Sequence, residues 1–230
     1  MARKTNVRPR KTKAQRRSDQ VMRYASSGMK VASAAYTGLR LASQIASIVN
    51  TEKKYYDLSA GNTVTNSGAV YALNQIPQGS TSVTRIGDSV KTKSLNINYD
   101  IAKSSNEADT LIRVILFVWK NPNDAPSVTK VLEAADVHSF KSWHNKNHSK
   151  ILYDRLITLN DSGGGQSEGK QASYRVHIPL DKALGKFSHT RFVSGSSSIE
   201  SNGLYILELA NQTVNYPTLT RYSRVYFYDN

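Results

Sequence analysis

Leu95, Ile97, Tyr99 and Ile101 alternate with Asn96, Asn98 and Asp100, and no other feature limits the possible fold as much. A period of two puts one set of side chains in a core and the other in water, which is a half-buried strand and not a helix. Leu111 to Trp119, LIRVILFVW, is apolar on both faces and reads as a central strand. Related patterns occupy Ala69–Ile76, Ile151–Leu159, Tyr174–Leu180, Thr190–Val193, Leu204–Leu209 and Arg221–Tyr228, giving eight strands in all. Turn formers separate them at Gly87-Asp88, Asn121-Pro122, Asp161 to Gly165, Gly195 and Asn202-Gly203. One helix interrupts the series. Pro126 and Ser127 open it, and Val128, Val131, Leu132 and Ala135 fall on one face at i, i+3, i+4 and i+7. Eight strands with long loops predict an all-β body over 55–230, a two-sheet sandwich of jelly-roll type.

The charge is distributed unevenly along the chain. Residues 1–54 hold 13 basic and 2 acidic side chains, 13 − 2 = +11, and the remaining residues hold 18 and 15, 18 − 15 = +3. Eight of the cations crowd residues 1–17: Arg3, Lys4, Arg8, Arg10, Lys11, Lys13, Arg16 and Arg17, with no acid among them. Apart from the terminal Met1, only Val7 there offers apolar surface beyond small side chains, so this basic arm is expected to be disordered when free. Residues 18–54 form a second zone. Ser18 and Asp19 suit N-caps, and Val21, Tyr24, Val31, Ala35, Leu39, Ala42, Ile45 and Val49 recur at helical spacings. The stripe is thin and rich in Ala, so this helical segment needs a partner surface. A basic arm neutralises phosphates and releases counterions without reading sequence, which points to nucleic acid. A nuclear-import signal can overlap the same residues, and a merely solubilising tail is the plainer reading.

Several classes fall away. With no cysteine there is no disulfide framework, thiolate zinc site or cysteine nucleophile. No secretory leader is expected, because charges crowd the start. The apolar run 31–49 is interrupted by Gly38, Arg40 and Gln44, and a charge at mid-span costs roughly 2.5–3.5 kcal/mol on insertion scales, so a membrane span is rejected. A membrane-active role for 18–50 is compatible with the rest. Gly164, Gly169 and Lys170 imitate a phosphate-binding loop, but Gln171 stands where Ser or Thr must hold magnesium, and a strand pattern follows. His144 and His148 sit four apart without a third ligand, so no metal site is expected. No catalytic spacing occurs, and neither an enzyme, a cofactor nor a small-molecule substrate is expected.

Two further clusters are ambiguous. Lys141, Trp143, Lys146 and Lys150, with His144 and His148 between them, interleave cations with an indole and form a secondary candidate contact for nucleic acid. The plainer reading is a polar loop around one buried Trp. The aromatic strand Tyr222–Tyr228 reads as core or subunit interface in preference to a base-stacking platform.

Taken in order, the segments resemble a known family. TEKKYYD (51–57), IPQGSTSVTRIGDSV (76–90), RVILFVWK (113–120), SVTKVLEAADV (127–137), ILYDRLITLN (151–160), GLYILEL (203–209) and YPTLTRYSRVYFYDN (216–230) are similar to successive pieces of the capsid proteins of small circular Rep-encoding single-stranded DNA viruses. They also resemble the coat proteins of tobacco-necrosis satellite viruses, which share that fold. The resemblance implies an eight-stranded jelly roll, a homo-oligomeric icosahedral shell of about sixty copies, and a basic arm lying inward on a packaged single-stranded genome. It carries no catalytic residues. The satellite proteins package RNA; the helical 18–50 segment leans toward the DNA group, and with it toward a nuclear stage and an import receptor. Some satellite shells hold calcium between subunits, but no matching carboxylate cluster is evident. The competing reading is a cellular single-stranded nucleic-acid-binding β-domain, monomeric or dimeric, with Lys141–Lys150 as platform and the arm as anchor. It has no RRM, KH or cold-shock motif in its favour.

Overall fold

A computed structural model describes residues 53–104, 110–160 and 171–229. The basic arm, nearly all of the expected helical segment and the Gly164–Lys170 loop lie outside the described residues. The described residues hold ten strands: β1 (Lys53–Thr63), β2 (Ala69–Ala72), β3 (Ser89–Ala102), β4 (Thr110–Trp119), β5 (Ser149–Leu159), β6 (Gln171–Pro179), β7 (His189–Phe192), β8 (Ile199–Ser201), β9 (Gly203–Ala210) and β10 (Thr218–Asp229). All pair antiparallel. One sheet runs β1-β10-β3, with β6 on residues 94–102 of β3 and the short pair β7-β8 on residues 89–91; the other runs β2-β9-β4-β5. Setting the β7-β8 hairpin aside leaves two four-stranded sheets, β1-β10-β3-β6 and β2-β9-β4-β5. That interleaving of first and last strands is the double Greek key of a jelly roll.

The expected eight strands therefore match the jelly roll in number but not in membership. The sequence pattern includes β7 and passes over β1. The reason lies in β1's inward positions: Lys54, Tyr56, Leu58, Ala60 and Asn62 are too mixed to show alternation. Strand β1 also begins two residues before the expected start of the body, so Lys53 and Lys54 are strand and not the end of a helical segment.

The core follows from the alternation. Leu95, Ile97, Tyr99 and Ile101 of β3 face Ile112, Val114, Leu116 and Val118 of β4 across the sandwich, all essentially inaccessible. Each such side chain contributes roughly 1.5–3 kcal/mol by leaving water. The opposite face of β4 is apolar because a second cluster covers it: Ile115, Phe117 and Trp119 pack under Val128, Val131, Leu132 and Val137. The covering loop corrects one expectation. The helix opened by Pro126 and Ser127 is a single turn, α1 (Val128–Val131). Leu132 is already extended and bridges to Lys141, with the Leu132 side chain buried. Three apolar anchors at i, i+3 and i+4 need only one turn to reach β4, so tertiary packing overrides the helical period beyond them. A second short helix, α2 (Leu180–Leu184), follows β6 and seals the core with Leu180 and Leu184.

Buried charges tie the sheets and loops. Arg85 is fully buried. Its Nε donates to Ile76 O at 3.2 Å, Nη2 to Ser196 O at 2.5 Å, and Nη1 to Gly87 O and to Asp88 Oδ1 at 3.1 Å, while the guanidinium lies 4.3 Å over the Phe192 ring. At the start of β1, Lys54 Nζ donates to Asp229 Oδ2 at 3.0 Å and to Thr84 O at 3.2 Å, and the same carboxylate oxygen accepts from Ile86 N at 2.7 Å. Between the sheets, Arg221 of β10 donates to Glu208 Oε1 of β9, both buried.

Burial pushes the Glu208 carboxyl up to about 7, against the pull of Arg221 and Asn62. An unfolded chain releases that proton near 4.5. Between the two values the unfolded state binds fewer protons, so this group's contribution to stability falls as pH rises and levels off above about 7. Thermal unfolding followed over that interval should show the fall in the wild type and a flatter profile in Glu208→Gln, whose amide cannot ionise. Parallel profiles would assign the dependence elsewhere.

Candidate nucleic-acid interface

The secondary cluster lies on the loop between α1 and β5 and on the first residues of β5. The structure does not bring its members to one point. Lys141 Nζ sits 3.3 Å from Asp154, which Arg113 also grips, with Nε to Oδ1 and Nη2 to Oδ2 both at 2.9 Å. Burial pushes the Asp154 carboxyl up, but the hydrogen bonds and charges of Arg113 and Lys141 outweigh it and hold the group below the ordinary carboxylate value. Lys141 is thus partly neutralised. Lys150 turns back and donates to Ala183 O in α2. Burial, with Lys150 nearby, pulls the Lys120 ammonium below its usual value. His148 rests 6.1 Å from the Trp119 ring, so it belongs to the cover over β4.

What remains is Trp143 with Lys146. The indole is 70% exposed and the Lys146 ammonium lies 3.1 Å over its ring. The expected buried indole is therefore Trp119, not Trp143: Trp119 donates from Nε1 to Asp124 O at 2.6 Å beneath the loop. Trp143 N donates to Glu133 Oε1 at 2.5 Å, which fixes the loop backbone under the ring. Phe140, 86% exposed, is missed by sequence reasoning. Its only signal is a second aromatic three residues before Trp143. Beside it an open cleft of about 650 Å³ is lined by Arg113, His138, Phe140, Lys141, Asp154 and Leu156. An exposed aromatic pair flanked by cations suits unpaired bases and phosphates.

The Tyr222–Tyr228 strand divides by face. Ser223, Val225 and Phe227 point into the core, whereas Tyr222, Arg224, Tyr226 and Tyr228 point out. The core reading fits Phe227, not the tyrosines. Among the described residues, no group of three or more His, Cys, Asp or Glu side chains is placed to hold a metal ion, and no helix is long and apolar enough to cross a membrane.

Comparison with known proteins places the chain. The coat protein of Satellite tobacco necrosis virus 2 is 34% identical over 107 residues, covering 43% of this chain and 52% of that protein. The chain thus spans about half the length of that relative. Solved structures align loosely. The infectious bursal disease virus VP2 subviral particle covers 78% of this chain and 41% of its own at 10% identity with a TM-score of 0.15. Dimeric latent PorU from Porphyromonas gingivalis covers 77% and 13% at 6% identity with a TM-score of 0.32. The fold assignment accordingly rests on the strand pairing alone. The profile of the satellite tobacco necrosis virus coat protein family matches residues 30–226, which takes in every described strand up to Tyr226. A coat-protein family has a structural and not an enzymatic role, and by this match the chain belongs to the satellite tobacco necrosis virus coat protein family.

Proposed function

We propose that this chain is the coat protein of a small virus, that about sixty copies close into an icosahedral shell, and that the basic arm packages a single-stranded genome. The observation that carries this is the family match over 30–226 laid on a jelly-roll body, with eight cations and no acid in the seventeen residues that open the chain. The body, with a formal net charge near +3, packs beside its copies without strong repulsion. Residues 1–54, at +11 in each copy, repel one another until a polyanion neutralises them, so assembly and genome binding are coupled. The lean toward DNA rests on the 18–50 segment, which lies outside the described residues, and the matching family is that of an RNA satellite virus. The proposed ligand is therefore single-stranded nucleic acid as such. The host nucleus and an import receptor belong to the DNA alternative only.

The test is the purified full-length protein in sedimentation and negative-stain microscopy. Sixty subunits of 25.5 kDa predict particles of about 1.5 MDa with nuclease-protected nucleic acid inside. Extracted nucleic acid destroyed by RNase or by DNase identifies the genome. A monomer or dimer that stays so with added nucleic acid would favour the cellular binding domain instead.

A further inference from the structure

The sheet β1-β10-β3-β6 turns one face to the core, and its other face has an unusual composition. Register sets the outward residues in transverse rows. Tyr222 of β10 lies between Ser59 of β1 and Asn98 of β3, with Arg175 of β6 beyond. In the next row Arg224 lies between Asp57 and Asn96, with His177 beyond. In the third, Tyr226 lies beside Tyr55. Rows two residues apart are spaced by about 6.8 Å, enough for one base per row. An open groove of about 540 Å³ runs over Tyr222, Arg224, Asn96 and Asn98, within the ~300–1,000 Å³ of ligand clefts.

The chemistry of this face is that of a base-stacking surface. Tyr222 is 55% exposed. Asp57 holds Arg224 in a two-point grip, Nε to Oδ1 at 2.6 Å and Nη2 to Oδ2 at 2.7 Å, with the guanidinium 4.6 Å over the Tyr55 ring. That fixes a flat cation in the sheet surface. Lys53 Nζ stands 4.6 Å over Tyr226. Asn98 offers a paired donor and acceptor of the kind that reads base edges, and Asn96, whose Oδ1 is shared with His177 Nδ1, adds its amide donors. The outward strand positions carry Lys53, Lys91, Lys93, Arg175 and Arg224 against Asp57 and Asp100, 5 − 2 = +3. Counted from Lys53, the body has a formal excess of 20 − 15 = +5, so this face carries three of those five charges. A subunit interface is depleted of charge at its centre; this face concentrates cations among aromatics.

We propose that this outer sheet face is a second nucleic-acid site, which takes unpaired nucleotides by stacking bases on Tyr222 and Tyr226 and setting phosphates against Lys91, Lys93 and Arg175. It rests on the packaging reading above and adds to it a preference for bases that a basic arm alone lacks.

The full-length protein is titrated with a fluorescent single-stranded oligonucleotide of about twenty residues and with an abasic sugar-phosphate of the same length and charge. The wild type should bind the base-containing probe more tightly. Tyr222→Ala with Tyr226→Ala should weaken that probe roughly tenfold or more and leave the abasic probe unchanged, which removes the gap between them. Tyr222→Phe, which keeps the ring, should retain the gap. Photocrosslinking of the wild type to a 5-bromouridine oligomer should label the peptide carrying Tyr222 and Tyr226, and that readout needs no variant. An unchanged gap in the double alanine variant, crosslinks elsewhere, or a change in particle assembly without a change in the gap would overturn the proposal; the last would make the face a contact with a second copy. The arm reading fails separately, if glutamine replacement of the arm cations leaves abasic binding intact.

Discussion

Replacing Arg3, Lys4, Arg8, Arg10, Lys11, Lys13, Arg16 and Arg17 by glutamine is expected to remove most of the affinity for single-stranded nucleic acid and most of its salt dependence. Each neutralised phosphate contributes about −0.7 to the slope of log affinity against log salt for single strands, so eight cations contribute about −5.6. A fourfold rise in salt then weakens binding about two-thousandfold through the arm alone. The substituted chain keeps only the smaller share carried by the body. Glutamine keeps length and polarity, so the comparison isolates charge. The body has its own strands and apolar faces, so the variant should still fold, while forming shells that are empty, irregular or absent at low concentration. Anisotropy titrations over a salt series check the slope, and electron microscopy checks the filling. An unchanged slope would transfer the phosphate contacts to the body, with Trp143 and Lys146 the first residues to examine there.

Replacing Arg85 by methionine is expected to destabilise the body by about 3–5 kcal/mol, the range for removing one member of a buried charged network. The stem can still pack on Phe192, but the carbonyls of Ile76, Gly87 and Ser196 lose their donor. At about 2–4 °C per kcal/mol for a body of this size, the unfolding midpoint should fall by roughly 6–20 °C. Lysine should not rescue it, since one ammonium cannot serve three directions as a planar fork does. Thermal unfolding of wild type, Arg85→Met and Arg85→Lys checks this. A lysine variant as stable as the wild type would show that charge alone, without the fork, suffices. Arg85 is the Arg of the Q-G…R-x-G stretch on which the family resemblance partly rests, and its role here is to hold the 76–88 loop to the 193–196 turn.

Much of the fold is legible because burial enforces period two. The alternation Leu95–Ile101 and the doubly apolar Leu111–Trp119 give β3 and β4 directly, and the loop that covers β4 is visible as Val128, Val131 and Leu132. What stays hidden has a common cause: polar side chains that face inward. Lys54, Arg85, Glu208 and Arg221 are buried because each finds a partner in another strand or loop, and a local window shows at most Asp88 beside Arg85. Strand β1 is lost for this reason. The candidate site is legible only to a degree. The basic arm is plain from charge counting. The splitting of Lys141 and Lys150 from Trp143 depends on Asp154 and Ala183, which stand in other elements. The outward tyrosines of β10 need register to be distinguished from Phe227.

The clamp at the head of β1 has a mechanical consequence. The chain enters β1 at Lys53, and among the described strands β1 lies at the edge of its sheet and pairs with β10 alone. A tug on the preceding segment therefore loads the β1-β10 ladder from its end. In that geometry the pairs separate in succession, like a zipper, instead of resisting together. The first to open are Lys53↔Tyr228 and Lys54↔Phe227. There Lys54 is anchored to Asp229 and Thr84, and Lys53 leans on Tyr226. The buried ion pair of β1 thus stands where peeling must begin, so on the packaging proposal above, tension from a condensing polymer meets that anchor before it can strip away the edge.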